Sequence, residues 1–319
     1  SVGIAVSDAR YTGAEEFLRD ADIAMYRAKD NGRARYALFD VDMHARAVEK
    51  LALETELRVA VEKDQFEVHY QPIVDLESRA LYGFEALVRW RHPERGLVSP
   101  ILFIPLAEET GLIRQLGKLV LQKACGWMCR CIERFGDAVP HVISVNLSVH
   151  QFTQPELYEQ ILSVLADTGL APSRLKLEIT ESALIDGADA VAAVLDRLRA
   201  RGIQLSIDDF GAGYSSLSYL HRFSFDTLKI DRSFTSRLEE SERNREVVRA
   251  IITLARILHI QVIAEGIETE GQLRLLQEFD CRFGQGYFYS RPLPAEAAQT
   301  LVKTWTGGRL PLPPDRRKQ

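Results

Sequence analysis

One short aliphatic run after another in this chain ends on an acidic or amide residue: Glu85 in FEALVRW, Asn146 in VISVNLS, Glu178 in LKLEIT, Asp208 and Asp209 in IQLSIDD, and Glu265 in VIAEG. A barrel of parallel strands brings its strand ends together at one mouth, so these scattered residues would become one carboxylate-rich site. The oxygens are hard donors, suited to Mg²⁺ or Mn²⁺ better than to zinc. Such a cluster repels a phosphate unless cations intervene, which implies a metal. Alternation supports one shared site. Ser144 and Asn146 fall on one strand face with Ile143, Val145 and Leu147 on the other, and the same split separates Lys176 and Glu178 from Leu175, Leu177 and Ile179. It recurs with Ser206 and Asp208, and in DTLKID with Thr227 and Lys229. One polar residue at a strand end is ordinarily a turn or cap. The same parity in run after run points instead to a face reserved for chemistry.

The elements that must position these residues follow from periodicity. FEVHYQPIV and LYGFEALVRW, separated by DLESRA, read as an antiparallel hairpin, which reverses the first strand of the barrel. Helices follow at about 101–110 and 112–135. Strands near 142, 175, 203, 226, 261 and 283 then alternate with helices near 155, 187, 215, 244, 269 and 294. Eight strands with helices between fit an α/β fold: a modified (β/α)₈ barrel with an antiparallel first strand, of roughly 250 residues. Upstream, VGIAV and RYALF flank an amphipathic helix over 14–30. The expected organisation is an α/β fragment over 1–40, a helical connector over 41–63, the barrel over 64–306 and a disordered tail, rich in glycine and proline, over 307–319.

Composition narrows the class. The 319 residues are 46% hydrophobic and 27% charged, with 40 basic residues scattered among 45 acidic ones, a pattern without a face for duplex nucleic acid. Four cysteines form no CxxC pair, which fits a reducing cytoplasm. Seven histidines form no HxxxH cluster, which argues against a histidine-built metal site. No run is long enough to span a membrane and no signal peptide opens the chain. It starts at Ser1 without methionine, so it is expected to be a piece of a longer protein, whose membrane contacts would lie in upstream segments.

Seven ordered motifs carry a family resemblance: EALVR at 85–89, NLS at 146–148, EITE at 178–181, DDFGAGYSSL at 208–217, KID at 229–231, AEGIE at 264–268 and QGYFYSRP at 285–292. The stretch from 66 to 300 resembles the EAL-domain cyclic di-GMP phosphodiesterases, which hydrolyse one phosphodiester bond of cyclic di-GMP to give linear pGpG with two divalent cations. The resemblance implies that Glu85, Asn146, Glu178 and Asp208 bind the first metal, and Asp208 with Asp209 the second. It implies that Lys229 and Glu265 hold the attacking water, with either one as the group that activates it, and that Glu181 and Glu268 complete the catalytic set. Gln71, Leu87, Arg89 and Gln285 would face the substrate, Gln285 also steadying the water. It further implies that Mg²⁺ or Mn²⁺ supports turnover, that Ca²⁺ inhibits, and that a homodimer forms through the loop at 208–217. Ala212, where the family often has threonine, and Ile267, where valine is common, depart from the pattern. SVGIA and ADIAMYRAKDNGRARYALF resemble the C-terminal end of a GGDEF (diguanylate cyclase) domain. The competing readings are a non-catalytic receptor for the same dinucleotide, which would have lost metal ligands, and a sugar-processing barrel, which needs two isolated carboxylates.

Overall fold

The chain divides between Asp64 and Gln65 into two units, each with its own sheet. The computed structural model describes residues 1–7, 11, 13–30, 32, 34–136, 139–152, 154–181, 188–211 and 223–305. In the first unit, β1 (Val2–Ile4) and β2 (Tyr36–Leu38) pair in parallel, joined by the helix Ala14–Asp30. Gly3 lies against Ala21 and Met25 of that helix, so the helix covers one face of the sheet. Val2, Ile4, Val6, Tyr36 and Leu38 remain exposed. A second helix, Val41–Glu62, starts where the Asp40 carboxylate accepts a hydrogen bond from the Met43 N–H, and it buries Met43, Leu53, Leu57 and Ala60.

The second unit opens with the expected hairpin, β3 (Phe66–Asp75) and β4 (Leu81–His92). Its turn is closed by Asp75, which accepts hydrogen bonds from the Ser78 N–H and hydroxyl, both at 2.9 Å, while Arg79 takes a left-handed φ of 59°. So short a connection can only return the chain antiparallel. After β5 (Gly96–Val98) come β6 (Val142–Leu147), β7 (Leu175–Thr180), β8 (Gln204–Phe210), β9 (Thr227–Ile230), β10 (Gln261–Ala264), β11 (Phe283–Gly284) and β12 (Leu293–Pro294). Strands β4, β6, β7, β8, β9, β10 and β11 run parallel in that order, and β3 closes the ring, antiparallel to both β4 and β11. Strands β5 and β12 extend β4 and β3. This is the modified (β/α)₈ barrel expected from the alternation.

Helices Ile113–Phe135, Leu157–Thr168, Ala188–Ala200, Glu242–Ile257, Glu270–Glu278 and Ala295–Trp305 fall where periodicity placed them. Two of these starts are locally encoded: Ser241 accepts from the Asn244 N–H, and Thr269 with Gln272 forms a reciprocal capping box. On the inward strand face, the polar residues Ser144, Lys176, Ser206, Thr227 and Lys229 are fully buried. Among the described residues no helix is long and apolar enough to cross a membrane. The helix expected near 215, positions 212–217 of the loop and the tail over 307–319 lie outside the described residues.

Candidate metal centre

Lys229 is the hub of the barrel mouth. Its Nζ lies 2.7 Å from Glu178 Oε2, 2.7 Å from Glu265 Oε1, 3.1 Å from Asp208 Oδ1 and 3.3 Å from Glu85 Oε2. Two amides complete the ring: Asn146 Nδ2 donates to Glu85 Oε1 at 2.8 Å, and Gln285 Nε2 donates to Glu85 Oε2 at 2.6 Å and to Glu265 Oε1 at 2.9 Å. Oxygens of Glu85, Glu178 and Asp208 lie within 4.8 Å of one another, as do oxygens of Asp208, Asp209 and Glu265. Asp208 is common to both groups.

Consecutive aspartates can share a site because β8 breaks its own alternation. Asp209 adopts a φ of 54°, the β8–β9 register shifts between Ile207 and Phe210, and the Asp209 N–H donates to Asp208 Oδ1 at 3.0 Å. Just beyond, the Gly211 N–H donates to Glu181 Oε2 at 3.1 Å, tying the end of β8 to the residue that follows β7.

The electrostatics are lopsided. Four carboxylates surround one ammonium in a buried site, and a fifth, Asp209, stands beside them. Burial pushes Glu178 up to about 8, opposed by Lys229 but reinforced by Glu85 and Asp208. Burial also lifts Glu265 well above the usual carboxylate range, against the pull of Lys229. Burial and the neighbouring Asp208 raise Asp209 to about 6. Burial works the same way on Glu85, yet Lys229 and the hydrogen bonds from Gln285 and Asn146 outweigh it and hold Glu85 below its ordinary value. Burial would strip the proton from Lys229, but the four carboxylates push it well above the ordinary lysine range. So much buried negative charge is stable only if carboxylates take up protons or cations neutralise them. The donor set fits hard divalent cations, and Glu178 Oε1 is buried with no hydrogen-bond partner among the described residues.

The other sequence-derived residues fall into three places. Gln71 is buried directly across the β3–β4 pairing from Glu85. Leu87 and Arg89 follow Glu85 on β4 and, with Asn146 and Ser148, line a cavity of about 290 Å³ bounded by Pro100, Ile104 and Leu116. Glu268 lies outside the hydrogen-bonded ring, its carboxylate paired at 2.6 Å with Arg232. Two further residues carry no assignment from the sequence. Lys176 is buried on the same strand face as Glu178, and burial draws its pKa down to about 8. Tyr287, two positions after Gln285, is exposed. The alternation that singled out Glu178 also marks Lys176, whereas no periodicity marks Tyr287.

The chain has known relatives. The model of the EAL domain matches residues 54–292. The bifunctional diguanylate cyclase/cyclic di-GMP phosphodiesterase MucR of Pseudomonas aeruginosa is 44% identical over 296 residues, covering 93% of this chain and 43% of that protein. The cyclic di-GMP phosphodiesterase PdeR of Escherichia coli is 36% identical over 306 residues, covering 96% of this chain and 46% of that protein. The chain thus spans less than half the length of these curated relatives. A solved structure described as the PaMucR phosphodiesterase in complex with c-di-GMP superposes with a TM-score of 0.74 at 44% identity, covering 77% of this chain and 99% of that one. With the family model spanning the β3–β4 hairpin and the whole ring of carboxylates, this chain belongs to the EAL domain family.

Proposed function

We propose that this chain hydrolyses one phosphodiester bond of cyclic di-GMP to give linear pGpG. The observation that carries the reading is the convergence of Glu85, Glu178, Asp208 and Glu265 on the buried Lys229, with Asn146 bonded to Glu85 and Asp209 beside Asp208. Glu85, Asn146, Glu178 and Asp208 would hold one cation, and Asp208 with Asp209 the other. Two such ions supply Lewis acidity to the phosphoryl oxygens and make water a stronger acid at neutral pH. The residues do the rest. Lys229, held among four carboxylates, serves as a positive donor beside the attacking water. Glu265, 2.7 Å from Lys229 Nζ, is the carboxylate placed to accept the proton of the attacking water. Gln285 bridges Glu85 and Glu265 and fixes their orientation. Arg89, on the face of β4 that carries Glu85, offers its guanidinium fork to a substrate phosphate.

The first prediction tests this reading by chromatographic detection of pGpG. Mg²⁺ or Mn²⁺ should support turnover, and Ca²⁺ should not, because its looser coordination suits the in-line geometry poorly. Glu85→Gln should keep its circular dichroism and lose on the order of a hundredfold or more in rate. Turnover that survives exhaustive chelation, or binding of the dinucleotide by the wild type without turnover, would turn the reading toward a receptor.

We further propose that the first unit is the C-terminal part of a GGDEF-like domain. In support, its parallel two-stranded sheet leaves Val2, Ile4, Tyr36 and Leu38 uncovered, whereas parallel sheets are ordinarily covered on both faces.

A further inference from the structure

Towards the start of its strands the barrel interior stays polar. Lys176 lies two residues before Glu178 on β7, so the two side chains share the inward face. The strand register sets Ser144 of β6 directly beside Lys176, Ser206 of β8 directly beside Glu178, and Thr227 of β9 directly beside Ser206. Residues paired across neighbouring strands lie about 4.8 Å apart, so these side chains form one continuous band over four strands. Ser144, Lys176, Ser206 and Thr227 are fully buried. Yet Lys176 Nζ and the three hydroxyls have no hydrogen-bond partner among the described residues, and neither has Glu178 Oε1. What Lys176 Nζ does meet is an aromatic face: it lies 5.2 Å from the centroid of the Tyr82 ring, which stacks on Phe283 at 4.1 Å and is tethered through its hydroxyl to Gln261 Oε1 at 3.1 Å.

Burying a polar atom without a partner is costly, most of all for an ammonium, and folded proteins keep such atoms few. Here five fall at adjoining strand positions. The ammonium can only donate, an ionised Glu178 Oε1 can only accept, and the hydroxyls do either. An anion would suit Lys176 and be repelled by Glu178, and a cation the reverse. Water serves both, and a buried water ordinarily makes about three hydrogen bonds, which these groups can supply. We propose that Ser144, Lys176, Ser206 and Thr227 hold a cluster of buried water inside the barrel, through which the Lys176 ammonium is hydrogen-bonded to Glu178. The site brings a second ammonium to the carboxylates gathered around Lys229 and offsets part of their charge without taking up an oxygen that a cation would use.

The second prediction is read by thermal melting of the full chain in chelator. Thr227→Val keeps the shape and removes the hydroxyl. With water bound there, the variant leaves that water short of a partner and should melt about 2–4 °C below wild type, whereas a dry, unpaired hydroxyl would make valine the more stable residue. Lys176→Met should likewise melt lower, since a buried ammonium with nothing bound to it would instead gain from the replacement. The double variant should lose less than the sum of the two single losses, because both side chains hold one cluster. A crystal structure of the chelated wild type should show water within about 3.2 Å of Lys176 Nζ and of the Thr227 hydroxyl. Either variant melting at or above wild type, strictly additive losses, or a dry band in the crystal would each overturn the site. Thr227→Val and the crystal structure decide the matter even if Lys176→Met does not fold.

Discussion

Lys229 shows what a single residue is asked to do here. It is fully buried, and its charge is held by Glu85, Glu178, Asp208 and Glu265, which in turn depend on it. The third prediction follows: Lys229→Met, similar in volume but uncharged, leaves buried carboxylates without their partner. Removing one side of a buried pair costs about 3–5 kcal/mol, so in chelator the variant should melt well below wild type. Divalent cations replace the lost positive charge and should recover much of that difference, although turnover stays on the order of a hundredfold down. Equal melting of both proteins in chelator would show that Lys229 does not neutralise the cluster. The sequence made these residues legible through alternation and the ordered motifs. It could not show that four carboxylates converge on one ammonium, because that depends on strand ends 21 to 144 residues apart in the sequence coming into register. Nor could it show the left-handed φ of Asp209, which aligns two consecutive aspartates against the parity of the strand.

Among the elements, the β3–β4 hairpin decides the barrel. Because DLESRA is a short polar turn, β3 must run antiparallel, and β11 then closes the ring against it. That much was readable from the turn chemistry, while β11 and β12, each of two residues, are too short for any periodicity and form only because the ring supplies neighbours. Asp75 serves both junctions: it caps the turn through Ser78 and pairs with Arg282 at 3.2 Å, just before β11. Although partial burial would raise it, the bonds from Ser78 and Arg282 lower its pKa below the ordinary 3.8. A carboxylate depressed in the folded state adds stability above its unfolded pKa and loses it as pH falls through the folded one. The fourth prediction is therefore that Asp75→Asn lowers stability by about 1 kcal/mol in urea titrations at pH 7, and that the gap closes as the pH falls below 3.8. A difference that stays constant across that window would assign the effect to packing and not to charge.

For the whole molecule, the question is which of the two units can stand alone. The unit Gln65–Gln319 closes its sheet into a barrel, so its eight ring strands leave no exposed edge among them, and its aromatic core is anchored by fully buried Phe66, Tyr70, Phe84, Trp90 and Trp127. In Ser1–Asp64 the sheet has two strands, one covered face, and an open face with Tyr36 at 72% exposure. A segment of this size is marginal even with a complete core, and two strands alone give little independent stability. The last prediction separates them. Expressed by itself, Gln65–Gln319 should unfold in one cooperative transition and turn over cyclic di-GMP within about threefold of the full chain, since every residue of the carboxylate ring lies within it. Ser1–Asp64 by itself should show no cooperative transition and should bind a hydrophobic dye, because Val2, Ile4, Tyr36 and Leu38 are exposed on its sheet. A sharp thermal transition in the smaller piece would mean that its two strands and two helices already form a sufficient core. The uncovered face would then be a surface in its own right, and the case for a truncated GGDEF-like domain would lose its physical support.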